Sequence, residues 1–520
     1  MKIHIGEDEQ NRYKNLLEII NEHYYYGYTA ACGGNGTCGK CKVMVEKNNV
    51  QPLTGVEKSH LTEKEVRENV RLACQLTPVQ GMIISLEQME SLDYFIESQY
   101  EIKEETELEG KRVIEGSKGY GIAVDVGTTT IVMALLDYHN RKVMGLEKTL
   151  NSQARYGADV ISRIDKSQEL GIDKLEIAVK EDILQCMEKL LDKCSVDGKL
   201  LERIVLAGNT TMLHFLMGFN PISLAMSPFK PLTTEKCEFS YDKFFDIVPH
   251  RKAIENCKIE ILPSLSAYIG ADILSGIYNS RMHEKEAIAM LIDIGTNGEL
   301  VIGNRRRMLC TSTAAGPAFE GGHIAHGIGS VKGAIYQVEI DGKNVKTFTI
   351  GNEELKGICG TGIMDAVSEL LRKGWLSEEG IMVDALDGKL VLDEKSQIAI
   401  VQRDIQEIQL AKSAIRAGIE VLIHQYGTEK NKIERVFLAG GFGSHLNISN
   451  VIHMGLLPAE FMGKIEVLGN SSLGGTIEYL LNRSADFEKI KGICSYVDLA
   501  NVAEFNLLFI EHLEFMKNTK

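Results

Sequence analysis

Apolar and polar positions follow two different patterns along this chain. Near the N-terminus "KVMVEKNN" (42 to 49) alternates with the two-residue period of a half-buried strand, and "LTEKEVRENVRLA" (61 to 73) has the spacing of a short helix. From residue 119 the pattern changes to unbroken, β-branched apolar runs, each ending in a glycine-rich turn. "IAVDVGTTTIVMALLD" (122 to 137) matches "MLIDIGTNGELVIGN" (290 to 304), and "ERIVLAGNTTM" (202 to 212) matches "ERVFLAGGFGS" (434 to 444). Repetition in this order implies two related halves. Each half opens with a buried strand, an aspartate and a Gly-Thr hairpin, and strands then alternate with helices. An α/β class follows, with mixed sheets covered by helices. The predicted divisions are 1–88, an acidic linker 89–118, a first lobe 119–285 and a second lobe 286–520.

Length and charge narrow the function classes. A chain of 520 residues holds about three domains at roughly 150 residues each. A formal charge of -15 argues against non-specific attraction to nucleic acid or to an anionic membrane. The start "MKIHIGEDEQ" carries neither a basic nor an apolar leader pattern, and no run approaches the ~18 apolar residues of a membrane span. These features predict a cytoplasmic protein. Residues 87 to 110 carry nine acidic residues and one lysine, consistent with a solvated linker or with a tether that lets the N-terminal domain swing.

The cysteines are unevenly spent. Of the 11, seven are scattered and suit packing roles, whereas Cys32, Cys38, Cys41 and Cys74 lie in the first 74 residues. A structural zinc site would pair two short spacings, and Cys74 has no close neighbour to complete a second pair. The C-x5-C-x2-C…C order is nearer the plant-type [2Fe-2S] pattern, which takes three thiolates from one loop and a fourth from a distant segment. Gly33, Gly34, Gly36 and Gly39 suit a loop whose N–H groups turn inward toward sulfur. "CGGNGTCGKCKV" with "RLACQ" resembles the [2Fe-2S] ferredoxin domain. That resemblance implies a β-grasp fold with the four cysteines as ligands, although "KIHI" runs into "NLLEIINEH" so quickly that the opening hairpin is shortened.

The repeated halves carry residue types that a Mg²⁺-nucleotide site needs. Asp125 and Asp293 can hold Mg²⁺ through its waters from facing lobes. Gly127, Thr128, Thr129 and Thr130 in one turn, and Gly295, Thr296 and Asn297 in the other, offer N–H and hydroxyl donors to phosphate. Gly440, Gly441 and Gly443 let a flat base or ribose approach the backbone. Ordinary tight turns have no need for aspartate followed by three threonines. No P-loop and no dinucleotide fingerprint is present. The series "DVGTTT … AGNTT … DIGTNGE … AGGFG" resembles the superfamily of acetate and sugar kinases, Hsp70 and actin, whose duplicated actin-like, RNase H-like fold it implies.

Fusion of the two modules, with "AAGPAFEGGHI", "CGTGIMDAV" and "LAGGFGSHLN", is similar to the reductive activators of corrinoid proteins. The resemblance implies ATP binding and hydrolysis that pass one electron from the [2Fe-2S] cluster to a Co(II) corrinoid protein of a methyltransferase system, with an upstream ferredoxin-like protein or reductase as donor. It further implies Asp125 and Asp293 as Mg²⁺ or water-positioning carboxylates, Asp293 or Glu299 orienting the attacking water, and Asn209 and Thr210 closing over phosphates. Gly360 and Gly362 fall at a helix start that favours anions. The loop 311–327, with Ser312, Glu320, His323 and His326, is expected to lie outside the core and face a partner. Three alternatives stay open: a small-molecule kinase with a ferredoxin appendage, an electron carrier whose nucleotide fold only docks, and an ATP-driven donor to another low-potential metalloenzyme.

Overall fold

The structure, a computed structural model, describes residues 2–23, 34, 36, 39, 41–47, 51–86, 119–157, 159–249, 254, 256–342, 344–441, 446–482 and 486–516. The predicted linker 89–118 and the candidates Cys32, Cys38 and Gly443 lie outside the described residues.

In the N-terminal unit four strands pair in the order Lys2–His4, Ile83–Ser85, Lys42–Lys47, Val70–Leu72. Helix Leu16–His23 buries Leu16, Leu17, Ile19 and Ile20 against them, the spacing of a single helical face. Strand Lys2–His4 pairs antiparallel with Ile83–Ser85 from the far end of the unit, and a short helix, Glu7–Arg12, follows it where an opening hairpin would lie. The expected helix before Cys74 spans only Glu63–Arg67, capped by Thr62 and Glu65. The chain then re-enters the sheet as Val70–Leu72 before a one-turn 3-10 helix, Ala73–Gln75.

A buried ion pair pins this re-entry. Arg71 Nε and Nη2 each donate to Glu57 at 2.8 Å, and the same carboxylate accepts the N–H groups of Thr54 and Leu72. Burial alone would raise the Glu57 carboxyl, but bonds from Arg71, Thr54 and Leu72 outweigh it and hold the group below its ordinary value of 4.5. Its contribution to stability is therefore present above that value and fades as pH falls through the lowered one. Glu57→Ala strands the guanidinium in the core, and we expect a loss of about 3–5 kcal/mol from the N-terminal unit, measured by chemical denaturation with cluster absorbance as the probe.

The rest of the chain holds two six-stranded sheets. The first runs Lys142–Leu150, Thr130–Asp137, Tyr120–Val126, Leu201–Gly208, Lys258–Ile261, Cys237–Ser240. The second runs Arg307–Thr313, Gly298–Asn304, Ala289–Ile294, Arg435–Gly440, Ile465–Gly469, with Cys494–Tyr496 beyond Arg307–Thr313. Apart from the extra edge strand, both follow the order 3-2-1-4-5, as the internal repeats require. In both, the first three strands are antiparallel and the fourth and fifth join parallel. Helices Ala271–Ser280 and Ser471–Leu481, almost wholly buried, cross each other between the sheets. A side chain at Gly276 would strike Ser471, and one at Gly475 would strike the Ser275 carbonyl, so glycine at both positions permits the approach. No helix among the described residues is long and apolar enough to cross a membrane.

Candidate cluster and nucleotide sites

Cys41 and Cys74 are both buried and are brought together by the sheet: the Ala73 N–H donates to the Cys41 carbonyl at 2.7 Å. Gly34, Gly36 and Gly39 all have positive φ, 94°, 77° and 64°. A Cβ on Gly34 would come within 4.0 Å of the Cys74 Cβ, so Gly34 lies against Cys74. Gln75 Nε2 lies 3.6 Å from the Cys74 sulfur as a donor. Cys41 and Cys74, brought together beside Gly34, are two thiols of the kind a [2Fe-2S] cluster takes from one loop and a distant segment.

The two aspartates occupy the same register in their lobes. Asp125 lies beside Ala207 and Asp293 beside Ala439, each at the end of a central strand. Lobe II's turn is one residue shorter, so Asp293 faces Glu299 across its hairpin where Asp125 faces Val132, and Glu299 in turn faces Ser312. Ser312 Oγ donates to Glu299 at 3.1 Å. Asp125 accepts Asn470 Nδ2 at 2.8 Å and Ser472 Oγ at 2.7 Å, from the start of the second crossing helix.

Five carboxylates, Asp125, Asp272, Asp293, Glu299 and Glu320, lie close enough for their charges to act on one another in one recess around the two aspartates. Each keeps some contact with water, yet surrounding protein raises every one above its ordinary value. Burial, then the charge of Asp125, pushes Asp272 to about 7. Burial, then Asp272, Asp125 and Glu320, pushes Asp293 to about 7. Burial, then the charges of Asp272 and Asp293, holds Glu299 well above its ordinary value. Such a cluster favours a bound cation. Among the described residues no three potential ligands converge closely enough to grip an ion directly. Mg²⁺ commonly keeps several waters and uses one or two carboxylates with phosphates, so the recess fits that ion.

The other sequence candidates fall into distinct places. Asn209 caps helix Thr210–Leu216 and donates Nδ2 to Thr128 Oγ1 at 3.1 Å, whereas the Thr210 hydroxyl is buried and given to the Ser266 carbonyl. Thr296 Oγ1 donates to Glu320 at 2.6 Å, and the Gly295 N–H closes the turn onto the Asn297 carbonyl. Gly440 abuts the Ile294 carbonyl, while Gly441 faces open space. Gly360 and Gly362 are buried against the Phe319 and Ile335 carbonyls, behind the turn that carries Glu320. Close approach of those carbonyls leaves no room for a Cβ at either position. The loop 311–327 is in part core, contrary to expectation: Phe319 and Ile324 are buried, and the Ala325 N–H is held by Asp404. His323 lies 3.7 Å from Glu407, and burial lowers His326.

Sequence reasoning missed Asp272, Asn470 and Ser472. A third internal repeat carries them: "IGADILSG" (269 to 276) parallels "LGNSSLGG" (468 to 475), the starts of the two crossing helices.

Three family models match the chain. Residues 7–79 match the family model described as a 2Fe-2S iron-sulfur cluster binding domain, 120–285 that of the RACo middle region, and 287–520 that of the C-terminal ASKHA domain of RACo. The chain is 30% identical over 427 residues to "Corrinoid activation enzyme RamQ" of Eubacterium limosum, covering 77% of this chain and 71% of that protein. It is 25% identical over 395 residues to "[Co(II) methylated amine-specific corrinoid protein] reductase" of Methanosarcina barkeri, covering 70% of each. Among solved structures, "Reductive activator for corrinoid,iron-sulfur protein" superposes with a TM-score of 0.70 at 28% identity, covering 99% of this chain and 96% of that one.

Proposed function

The chain belongs to the family of corrinoid reductive activators, and on that premise we propose that it reduces the Co(II) form of a corrinoid protein to Co(I), spending ATP in the cleft between its lobes. The observation that carries the reading is the presence in one chain of a [2Fe-2S]-binding domain and of paired aspartates, Asp125 and Asp293, at equivalent strand ends of a duplicated fold. In this reading residues 1–88 hold the cluster, 89–118 tether it, and 119–285 and 286–520 are the two lobes. The protein acts in the cytoplasm and is recharged by a ferredoxin-like protein or a reductase.

Cys32, Cys38, Cys41 and Cys74 hold the cluster, which supplies a one-electron donor near roughly -400 mV when bound. Delivery to a couple below that potential is uphill, each ~59 mV costing about 1.4 kcal/mol, so a second energy source is required. Asp125 and Asp293 hold Mg²⁺ through its waters and thereby the triphosphate. The turns at 127–130 and 295–297 donate to phosphate oxygens, with Asn209 and Thr210 bordering the first and Gly440, Gly441 and Gly443 admitting the adenosine. Asp293 or Glu299 orients the attacking water, and the position of Glu299 opposite Asp293 supports this pairing. Because Asp125 is bonded to Asn470 and Ser472 across the lobes, a ligand that draws on the Asp125 carboxylate alters a contact joining them. That link gives nucleotide binding a route to the lobe arrangement, and hence to differential grip on the partner.

The test is anaerobic absorption spectroscopy of a cob(II)alamin-containing corrinoid protein mixed with this protein and a reductant. Co(I) is expected only after Mg-ATP is added. Equal reduction with and without nucleotide would remove the ATP-driven reading. Co(I) failing to form, while another low-potential metalloenzyme is reduced in its place, would change the acceptor.

A further inference from the structure

The two phosphate-facing turns are alike in sequence but are held differently. In lobe I three successive carbonyls are tied from behind: Gly127 O accepts Asn151 Nδ2 at 2.9 Å, Thr128 O accepts Arg163 Nη2 at 2.6 Å, and Thr129 O accepts the Asn151 N–H at 2.9 Å. Arg163 is fully buried and is itself braced, its Nε donating to Gly157 O at 2.8 Å and its Nη1 to Gln153 Oε1 at 3.3 Å. In lobe II no side chain among the described residues holds the carbonyls of Gly295 or Thr296, and the Thr296 hydroxyl is spent on Glu320.

Peptide geometry turns this asymmetry into chemistry. In a trans peptide the carbonyl and the following N–H point in opposite directions. Anchoring Gly127 O and Thr128 O therefore aims the N–H groups of Thr128 and Thr129 away from Asn151 and Arg163, and neither has a hydrogen-bond partner among the described residues. Successive N–H groups aimed to one side form an anion-binding concavity, and here a buried guanidinium lies directly behind it.

We propose that Arg163, with Asn151, is a positioning residue for the nucleotide: it fixes the lobe I turn so that its amides are pre-aimed at phosphate, which makes lobe I the preorganised phosphate grip and leaves lobe II to adjust on closure. The proposal rests on the reading that the cleft binds ATP. Neither residue touches the nucleotide, and both act through Gly127 and Thr128.

The experiment titrates full-length, cluster-loaded wild type, Arg163→Lys, Arg163→Met and Asn151→Ser with Mg-ATP and, separately, with adenosine, which has no phosphates. Circular dichroism melting confirms which variants fold, and Arg163→Lys and Asn151→Ser are the milder changes should Arg163→Met fail. The expected result is ATP binding weakened by about tenfold or more, with adenosine binding changed by less than about twofold. Unchanged ATP affinity in a folded Arg163→Lys or Asn151→Ser protein would overturn the proposal, as would parallel weakening of ATP and adenosine, the mark of a merely structural role. Absence of ATP binding by wild type would instead sink the functional reading on which it rests.

Discussion

Cys74→Ser is expected to abolish electron delivery completely while leaving nucleotide binding at the wild-type level. Cys74 sits on the 3-10 turn Ala73–Gln75, buried in the N-terminal core beside Gly34, so serine fits the space but offers a hydroxyl where a thiolate is required. Iron and sulfide analysis with the visible spectrum reads the cluster, and nucleotide titration reads the lobes, whose cores contain no residue from this unit. A variant that keeps full iron and still reduces its partner would refute Cys74 as a ligand. Loss of nucleotide binding along with the cluster would show the two modules to be coupled in folding.

Asp293→Ala is expected to do the reverse. The cluster spectrum should be intact, and ATP-dependent reduction should fall by about 10²-fold or more, the scale on which a positioned electrostatic group acts in phosphoryl chemistry. Asp293 is the cleaner choice of the two repeat aspartates. Its carboxylate accepts no hydrogen bond among the described residues, whereas Asp125 also joins the lobes through Asn470 and Ser472. Asp125→Ala removes a structural link as well as a charge, so its loss of activity would not separate chemistry from lobe geometry. Stopped anaerobic assays with and without Mg-ATP measure the effect. Full ATP-dependent activity in Asp293→Ala would return the role to Asp272, Glu299 or Glu320.

Much of this protein was legible as sequence because its signals are local. Thiolate spacing at 32, 38 and 41 records a loop's chemistry directly. The runs ending in Asp125 and Asp293 record buried strands that stop at a polar edge, and their repetition foretold two related halves, which the structure realises as two sheets of one strand order. Local pattern says less where close packing also calls for small residues. Gly360 and Gly362 do open a helix, and the Phe319 and Ile335 carbonyls that press against them require glycine there as well. The loop 311–327 is rich in glycine and alanine, yet Phe319 and Ile324 carry it into the core.

By itself, then, the sequence determined the two modules and the paired aspartates and nominated the cluster thiolates, since most of these signals are written in residues a few positions apart along one strand or loop. Only the tertiary structure decided which carboxylates share the recess, that Asn470 and Ser472 reach Asp125 from 345 and 347 residues away, and that Arg163 braces one turn and not its twin. Hydrogen bonds and charge coupling depend on distances of a few ångströms between segments that meet only when two sheets pack around their crossing helices, and no periodicity along the chain encodes that meeting.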